Sequence, residues 1–309
     1  MSYPQLSIII PTHNRPHLLP LAVQSALGQT FQDLEVIVVD DASDSPVQLP
    51  ADPKLQVIRL EPGRGGAAAR NAGTQAARGQ WVTYLDDDDS LLPTMAAVSL
   101  TALKALPEGQ PVAVLSGLQV VDEHGAVLST RMPPTRCPQG SHFFLETPEP
   151  GRSFHTKQTL VVERDLVLTI GGWDETFRSR VHSEFFLRLN PACTLVGLPT
   201  VTYHLLAHSD ARVSGNPKLR QASFQQLVQK HRSVFAAHPT MFAELIYKHA
   251  KKSYQMGQNS AALSHFLGAV QLAPLHIARQ AGREVLHSLT KPIQESSPLT
   301  KRLSKPLRP

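Results

Sequence analysis

"GAAARNAGTQAARGQWVTYLDDDDS", residues 66–90, decides the fold. Its first half is built of small residues at helical spacing, and Gly79 is placed to end that helix in the C′ position. Gln80–Leu85 then reads as a strand, and the strand runs directly into Asp86–Asp89. Working upstream, "LQVIRL" (55–60), "LEVIVV" (34–39) and "LSIII" (6–10) are three more β-rich runs. Between the first two strands "PHLLPLAVQSALGQ" carries apolar residues at helical spacing, with Pro16 suited to a first turn. Strands that are apolar along their length and alternate with helices predict an α/β fold, a mostly parallel sheet covered on both faces.

Four adjacent aspartates repel one another, and each disfavours ionisation of the next. A solvated turn takes one or two acids, diluted with Gly, Asn or Ser. Four at the end of a buried strand predict a cation. An all-oxygen cluster suits Mg2+ or Mn2+, held by one or two carboxylates and completed by phosphate oxygens. In an open parallel sheet ligands bind beyond the carboxyl ends of the strands. Three polar segments leave such ends here: "PTHNR" after the first strand, "DDAS" after the second and "LDDDDS" after the fourth. Singly, "PTHNR" also reads as a strand-to-helix turn with Asn14 as N-cap, and "DDAS" as a solvated turn; their convergence on one edge is the stronger signal. A competing reading takes "GRGGAA" (63–68) as a loose dinucleotide fingerprint with Asp86 as the ribose-binding acid. It leaves the fourfold run unexplained.

The chain has 309 residues, enough for a full core and an appendage. Its net charge of +5 lies in the last stretch, where residues 275–309 hold seven basic side chains against two acidic ones. A neutral body with a basic tail argues against nucleic-acid binding, which wants a basic face on the folded domain. No run approaches the roughly 18 apolar residues of a membrane span, and no basic n-region marks a signal peptide. Cys137 and Cys193 form no C-x-x-C, so neither a disulfide framework nor a zinc site is expected, and a reducing cytoplasm is the economical location. From about residue 217 the pattern is helical, and Tyr254, Gly257, Ala261, Ala262, Phe266, Ala269 and Pro274 are spaced like a single tetratricopeptide-type helix pair. Farther on, Leu275, Ala278, Val285 and Leu289 fall along one helical side, with Arg279, Arg283 and His287 largely off it. That helix either packs on the domain or touches anionic lipid at the inner face of the cell membrane. The expected organisation is a main domain over 1–215, a helical extension over 216–290 and a flexible basic tail over 291–309.

In "SIIIPTHNR", "VIVVDDAS", "GAAARNAGTQAARGQWVTYLDDDD" and "GGWDE" the chain resembles the inverting glycosyltransferases of family 2, which have the nucleotide-sugar-binding GT-A fold. The resemblance is ordered over the first ~100 residues and weaker to about residue 210, taking order and spacing as the measure of specificity. It implies an enzyme that moves one sugar from a nucleotide-diphosphate-sugar donor to a saccharide or lipid-linked acceptor, in cell-surface polysaccharide or glycolipid synthesis. It implies that Pro11, Thr12 and His13, with Asn14 beside them, hold nucleobase and ribose, that Asp41 bonds the base and that Arg64 approaches base or diphosphate. Asp86 and Asp88 take the outer places of the D-x-D signature, with Asp87 between them, and hold Mn2+ or Mg2+ and through it the diphosphate. His208, where a strand gives way to loop after His204, is the further metal-side candidate. The family commonly follows its Gly-Gly-aromatic-Asp-Glu segment with Glu-Asp shortly before an arginine. Here Val181 and His182 stand at those places, and the nearest carboxylate is Glu184. Glu184 is therefore the first candidate for the catalytic base and His182 the second; the plain alternative pairs Glu184 with Arg188 one helical turn on. Trp173, Asp174 and Glu175 are the expected acceptor-side residues, Trp173 reading equally as core. The departure at the Glu-Asp segment keeps open a non-catalytic module that binds nucleotide-sugar or glycan.

Overall fold

The computed structural model describes residues 3–107, 109–207 and 215–290, with side chains to residue 284 in the last helix. In chain order the elements are β1 (Leu6–Thr12), α1 (Leu19–Leu27), β2 (Leu34–Asp40), β3 (Leu55–Arg59), α2 (Gly66–Ala76), β4 (Trp81–Tyr84), β5 (Ser90–Leu91) and α3 (Met95–Ala105). Then come β6 (Val112–Val121), β7 (Val127–Arg131), β8 (Arg136–Cys137), β9 (Val161–Glu163), α4 (Arg164–Thr169), α5 (Val181–Ala192) and β10 (Thr194–Leu206). The remainder is helical: α6 (Pro217–Lys230), α7 (Arg232–Ala237), α8 (Pro239–Gln255), α9 (Asn259–Leu272) and α10 (Pro274–Thr290).

The sheet order is β3-β2-β1-β4-β9-β6-β10-β5, with β7 beside β6 and β8 beside β10. β3, β2, β1 and β4 are mutually parallel, and β6 and β10 keep that direction across the reversed β9. The expected mostly parallel sheet is thus present. The chain winds outward from β1 to β3 and then crosses back to β4, so the switch point lies between β1 and β4. Successive side chains of a strand take opposite faces. Leu6, Ile8 and Ile10 pack with α1 and α3 through Ala22, Val23, Met95 and Leu100. Ile9, Ile37 and Val39 pack on the other face with Ala69, Phe185, Phe186 and Leu189 from α2 and α5. That two-sided burial is why β1 and β2 read as continuous apolar runs. Both cysteines are buried and free, and burial pushes each thiol up to about 12.

Some local expectations are corrected. α1 starts at Leu19 with Pro20 in its first turn, not at Pro16. α2 ends at Ala76, so Gly79 is no helix stop; a Cβ there would lie 2.7 Å from the Ser7 amide nitrogen, and the glycine lets the chain pass close over β1. β6 and β10 run longer than their apolar stretches because Ser116 and Thr202, buried inside them, bond each other at 2.5 Å.

The chain divides into two compact units, the first ending at Met241 and the second starting at Phe242. α6 and α7, grouped from the sequence with the C-terminal extension, lie in the first. In the second, α8 and α9 form a hairpin turning at Gly257 (φ 76°), with Ala262 and Ala269 buried and Tyr254 69% exposed. On α10 it is Ile277 that is buried, while Leu275 and Ala278, read as one apolar side, are exposed. No helix among the described residues is long and apolar enough to cross a membrane.

Candidate functional site

Parallel strands bring the segments after β1, β2 and β4 to one edge, where they line a cleft of about 830 Å³. Each segment is fixed by its own hydrogen bonds. At the end of β2, Asp40 turns inward: its carboxylate accepts from the Ser43 amide at 2.9 Å and from Arg59 at 2.6 Å. Asp41, the next residue, faces the cleft and accepts from the Arg64 and Gly65 amides, both at 2.7 Å. His13 Nδ1 lies 2.8 Å from the Asp41 carbonyl oxygen, which ties the first two segments together. Asn14 (φ 54°) and Ala42 (φ 57°) are held left-handed in these turns, a conformation found at sites the surroundings over-determine. Gly65 (φ +94°) precedes α2, and a Cβ there would meet the Arg178 guanidinium at 2.2 Å.

The acids after β4 take separate partners. Asp86 pairs with Arg70 of α2. Asp87 accepts from the Thr12 hydroxyl at 2.7 Å and from Arg15 at 2.8 Å. The same Arg15 nitrogen donates to Asp88 at 2.7 Å. Asp89 turns away to accept from the Tyr203 hydroxyl at 2.7 Å and the Leu206 amide at 2.9 Å. Burial raises the Asp86 carboxyl, but Arg70, His182 and Arg15 outweigh it and hold it below its ordinary value. Asp89 is pushed well up, by burial first and then by Asp86 and Asp88. Single carboxylate oxygens of Asp86, Asp88 and Asp89 lie within 4.8 Å of one another. Hard oxygens at that spacing fit a small divalent cation, and the excess of acid over the two arginines leaves charge for it. Arg15 and Arg70 are the residues that sequence reasoning missed: both sit in quoted motifs, and a run of four acids calls for protein cations as well as a bound one.

Of the residues expected at the site, Pro11, Thr12, His13, Asp41, Asp86, Asp87, Asp88 and His182 line the cleft. Asn14 braces the neighbouring turn, its side-chain oxygen accepting from the Asp44 amide at 2.8 Å. Arg64 contributes its backbone; its guanidinium is 2.5 Å from Glu175. Glu175 also accepts from Asn71 at 2.9 Å, and Asp174 is 2.5 Å from Lys230. Trp173 is core, 2% exposed, stacked on Phe185 at 4.2 Å and edge-on to Tyr84 at 4.9 Å. The acceptor-side trio therefore braces the loop before α5 and does not line the cleft. Glu184 is fully buried, with Arg188 at 2.7 and 2.6 Å, Lys230 at 2.7 Å and His231 at 3.4 Å. Burial alone would raise its carboxyl; the bonds from Arg188, His231 and Lys230 hold it far below the usual range. The plain ion-pair reading fits this residue, because nothing of it faces the cleft. His182, two residues earlier, does face it, edge-on to Trp173 at 5.1 Å. Burial, with Arg70 beside it, pushes its imidazole down to about 3, so it is neutral at pH 7. His208 lies outside the described residues.

The sequence pattern described as glycosyl transferase family 2 matches residues 7–117. An uncharacterized glycosyltransferase of Haemophilus influenzae is 28% identical over 186 residues, 60% of this chain and 61% of that one. The GalNAc(5)-diNAcBac-PP-undecaprenol beta-1,3-glucosyltransferase of Campylobacter jejuni is 40% identical over 96 residues, 29% of this chain and 31% of that one. The succinoglycan biosynthesis protein ExoO of Rhizobium meliloti is 40% identical over 94 residues, 29% of this chain and 27% of that one. The chain spans less than two thirds of the length of each of these relatives. Among solved structures, residues 1–349 of S. aureus TarS in complex with UDP-GlcNAc superpose with a TM-score of 0.60 at 16% identity, covering 87% of this chain and 82% of that one. At that identity the likeness speaks for the fold alone.

Proposed function

We propose, from the premise that the chain belongs to glycosyl transferase family 2 through residues 7–117, that it is an inverting, metal-dependent transferase of one sugar from a nucleotide-diphosphate donor to a saccharide or lipid-linked acceptor. The observation that carries this reading is the convergence of Thr12, Asp41, Asp86 and Asp88 on one cleft at the sheet's switch point. The polar edge after β1 and β2 takes the nucleoside, with Asp41 as acceptor for a base or ribose donor. Asp86 and Asp88 would hold Mn2+ or Mg2+, which when bound neutralises the charge growing on the departing diphosphate. The undecaprenol-linked glucosyltransferase and succinoglycan-biosynthesis relatives favour an acceptor in cell-surface polysaccharide or glycolipid synthesis.

With Glu184 sequestered, the base is His182. Its neutral imidazole has a lone pair for the acceptor hydroxyl proton; the acceptor oxygen bonds the anomeric carbon from the face opposite the leaving group, and the bonding pair leaves with the diphosphate. Imidazolium formed beside Asp86 and a diphosphate is stabilised by both charges. The test is a panel of nucleotide sugars with Mn2+ or with chelator, following nucleotide release. Mn2+-dependent hydrolysis of one donor supports the reading; tight binding of a donor with no release under any condition favours the non-catalytic module, whose support is the missing carboxylate at the base position.

A peripheral membrane contact is supported by exposed Leu275, Ala278, Arg279 and Arg283 on α10. Co-sedimentation with vesicles that ignores anionic lipid content would end it.

A further inference from the structure

We propose that Gln158 reads the transferred sugar: its side-chain amide bonds a ring hydroxyl of the donor and so sets which epimer the cleft accepts. The inference rests on the donor reading above, which puts a diphosphate at Asp86 and Asp88 and the base at His182. Gln158 lines the same cleft and is half-buried. It stands in a short 3-10 turn, Lys157–Thr159, that leads into β9. β9 runs antiparallel to β4 with Val161 opposite Thr83, so the chain before β9 lies where β4 ends and the aspartates begin. The same turn packs against β6 and against α5, the helix that carries His182. One turn of chain thus borders both the aspartate end of the cleft and the helix of the base, which is the span the sugar has to cross.

The backbone on either side of Gln158 is fixed. The buried Thr159 hydroxyl donates to the Ser116 carbonyl at 2.9 Å and accepts from the Ser116 amide at 2.9 Å. The Leu160 carbonyl accepts from the Thr83 hydroxyl at 2.7 Å, and the Lys157 ammonium stands over the Phe144 ring at 5.1 Å. The Gln158 side chain itself makes no hydrogen bond among the described residues. The nucleotide edge differs: Thr12 bonds Asp87, Asp41 bonds the Arg64 and Gly65 amides, and Asp86 pairs with Arg70. An amide on a pinned backbone, with its donors and its acceptor unspent, is preorganised for a ligand that offers both. A sugar hydroxyl offers both and carries no charge. Epimers differ only in where one such hydroxyl points, and a fixed amide separates them because the wrong one leaves it unpaired. The position favours the donor's sugar over the acceptor's. The donor's ring is bonded to the diphosphate at the sheet edge where Gln158 stands, whereas the acceptor enters from the face opposite that diphosphate.

Isothermal titration of the full chain with Mn2+ tests this. The probes are UDP-glucose, UDP-galactose, UDP-N-acetylglucosamine and GDP-mannose, each compared with its bare nucleoside diphosphate. Gln158→Met keeps the length of the side chain and removes the amide. It should weaken the tightest-binding nucleotide sugar roughly three- to tenfold, the worth of one neutral hydrogen bond, and leave the matching nucleoside diphosphate unchanged. The lead of that sugar over the others should shrink by a like factor. Gln158→Ala repeats the measurement should Gln158→Met fail to fold. Equal loss for nucleotide sugar and nucleoside diphosphate, a loss shared equally by every nucleotide sugar, or unchanged affinities in the variants overturns the assignment. So does a parent chain that binds the nucleotide sugars no differently from the bare diphosphates. Failure of the donor reading shows separately, as a parent chain that binds neither UDP nor GDP.

Discussion

Asp86 and Asp88 each meet a guanidinium in the free protein, from Arg70 and Arg15. On the metal-dependent reading, binding a divalent cation would be an exchange: the ion would gain carboxylates that Arg15 and Arg70 now hold, and both arginines would turn toward the diphosphate. Asp88→Asn should lower Mn2+-dependent nucleotide affinity by more than the roughly 10–100-fold that loss of an outer-shell partner costs. Titration with Mn2+ and then nucleotide checks it, and unchanged affinity would remove the metal argument. The two base candidates separate in the same way. His182→Gln should cut turnover by about 10²–10⁴-fold while donor affinity changes little. Glu184→Gln should instead act on stability, costing about 3 kcal/mol in a urea melt, because it leaves buried cations without their carboxylate. Both candidates were legible in the sequence, but their ranking was not. Periodicity places 182 and 184 within one helical turn and cannot say which side faces the cleft. Lys230 and His231, nearly fifty residues downstream, close on Glu184, while His182 lines the cleft. The arginines were hidden for a like reason, since Arg15 and Arg70 meet their acids only through the parallel pairing of β1 and β4 and the packing of α2.

At the scale of elements, the strands before residue 90 were readable because both faces of each are buried, so hydrophobicity alone marks them. β6 and β10 were marked only in part, near Val112–Leu115 and over Val201–Leu206; β6 continues past its apolar run through buried Ser116, which bonds Thr202 across the pair. Gly79 shows the same limit: its role is a close approach to Ser7, a contact more than seventy residues away in sequence. Gly79→Ala should cost about 1–3 kcal/mol in denaturant melts, since the obstructing atoms are backbone and cannot turn aside. The clasp between α5 and the end of α6 carries a pH dependence. Glu184 has its folded pKa far below its ordinary 4.5, so the unfolded chain binds the proton more readily. The clasp's contribution is complete above about pH 4.5 and is lost as the pH falls below it. Melting temperature followed from pH 7 to pH 3 should drop steeply at the acid end, and Glu184→Gln should flatten that drop while lowering the plateau.

For the whole molecule, the cleft draws on residues from Pro11 to Leu219, all within the first unit, although the family pattern ends at residue 117. The nucleotide edge was legible because strand order alone sets it. The opposite wall was not, because its side chains come from the loop before α5 and, through Leu219, from α6, which the sequence had grouped with the extension. Ligand binding should therefore stabilise a unit twice the length of the recognisable motif. A nucleotide at 100 times its Kd adds about 2.7 kcal/mol to the unit that binds it, which is about 100-fold slower exchange for amides that open only on global unfolding. Hydrogen exchange with Mn2+ and the tightest-binding nucleoside diphosphate should thus show that slowing in β1, β2 and β4 and also in β6 and β10. Peptides covering 11–15, 41–43 and 86–89 should gain further local protection, and those from α9 should stay unchanged. Protection confined to residues before 117 would mean that the β6–β10 half folds and opens apart from the nucleotide edge, and the His182 side of the cleft could then not be organised by donor binding.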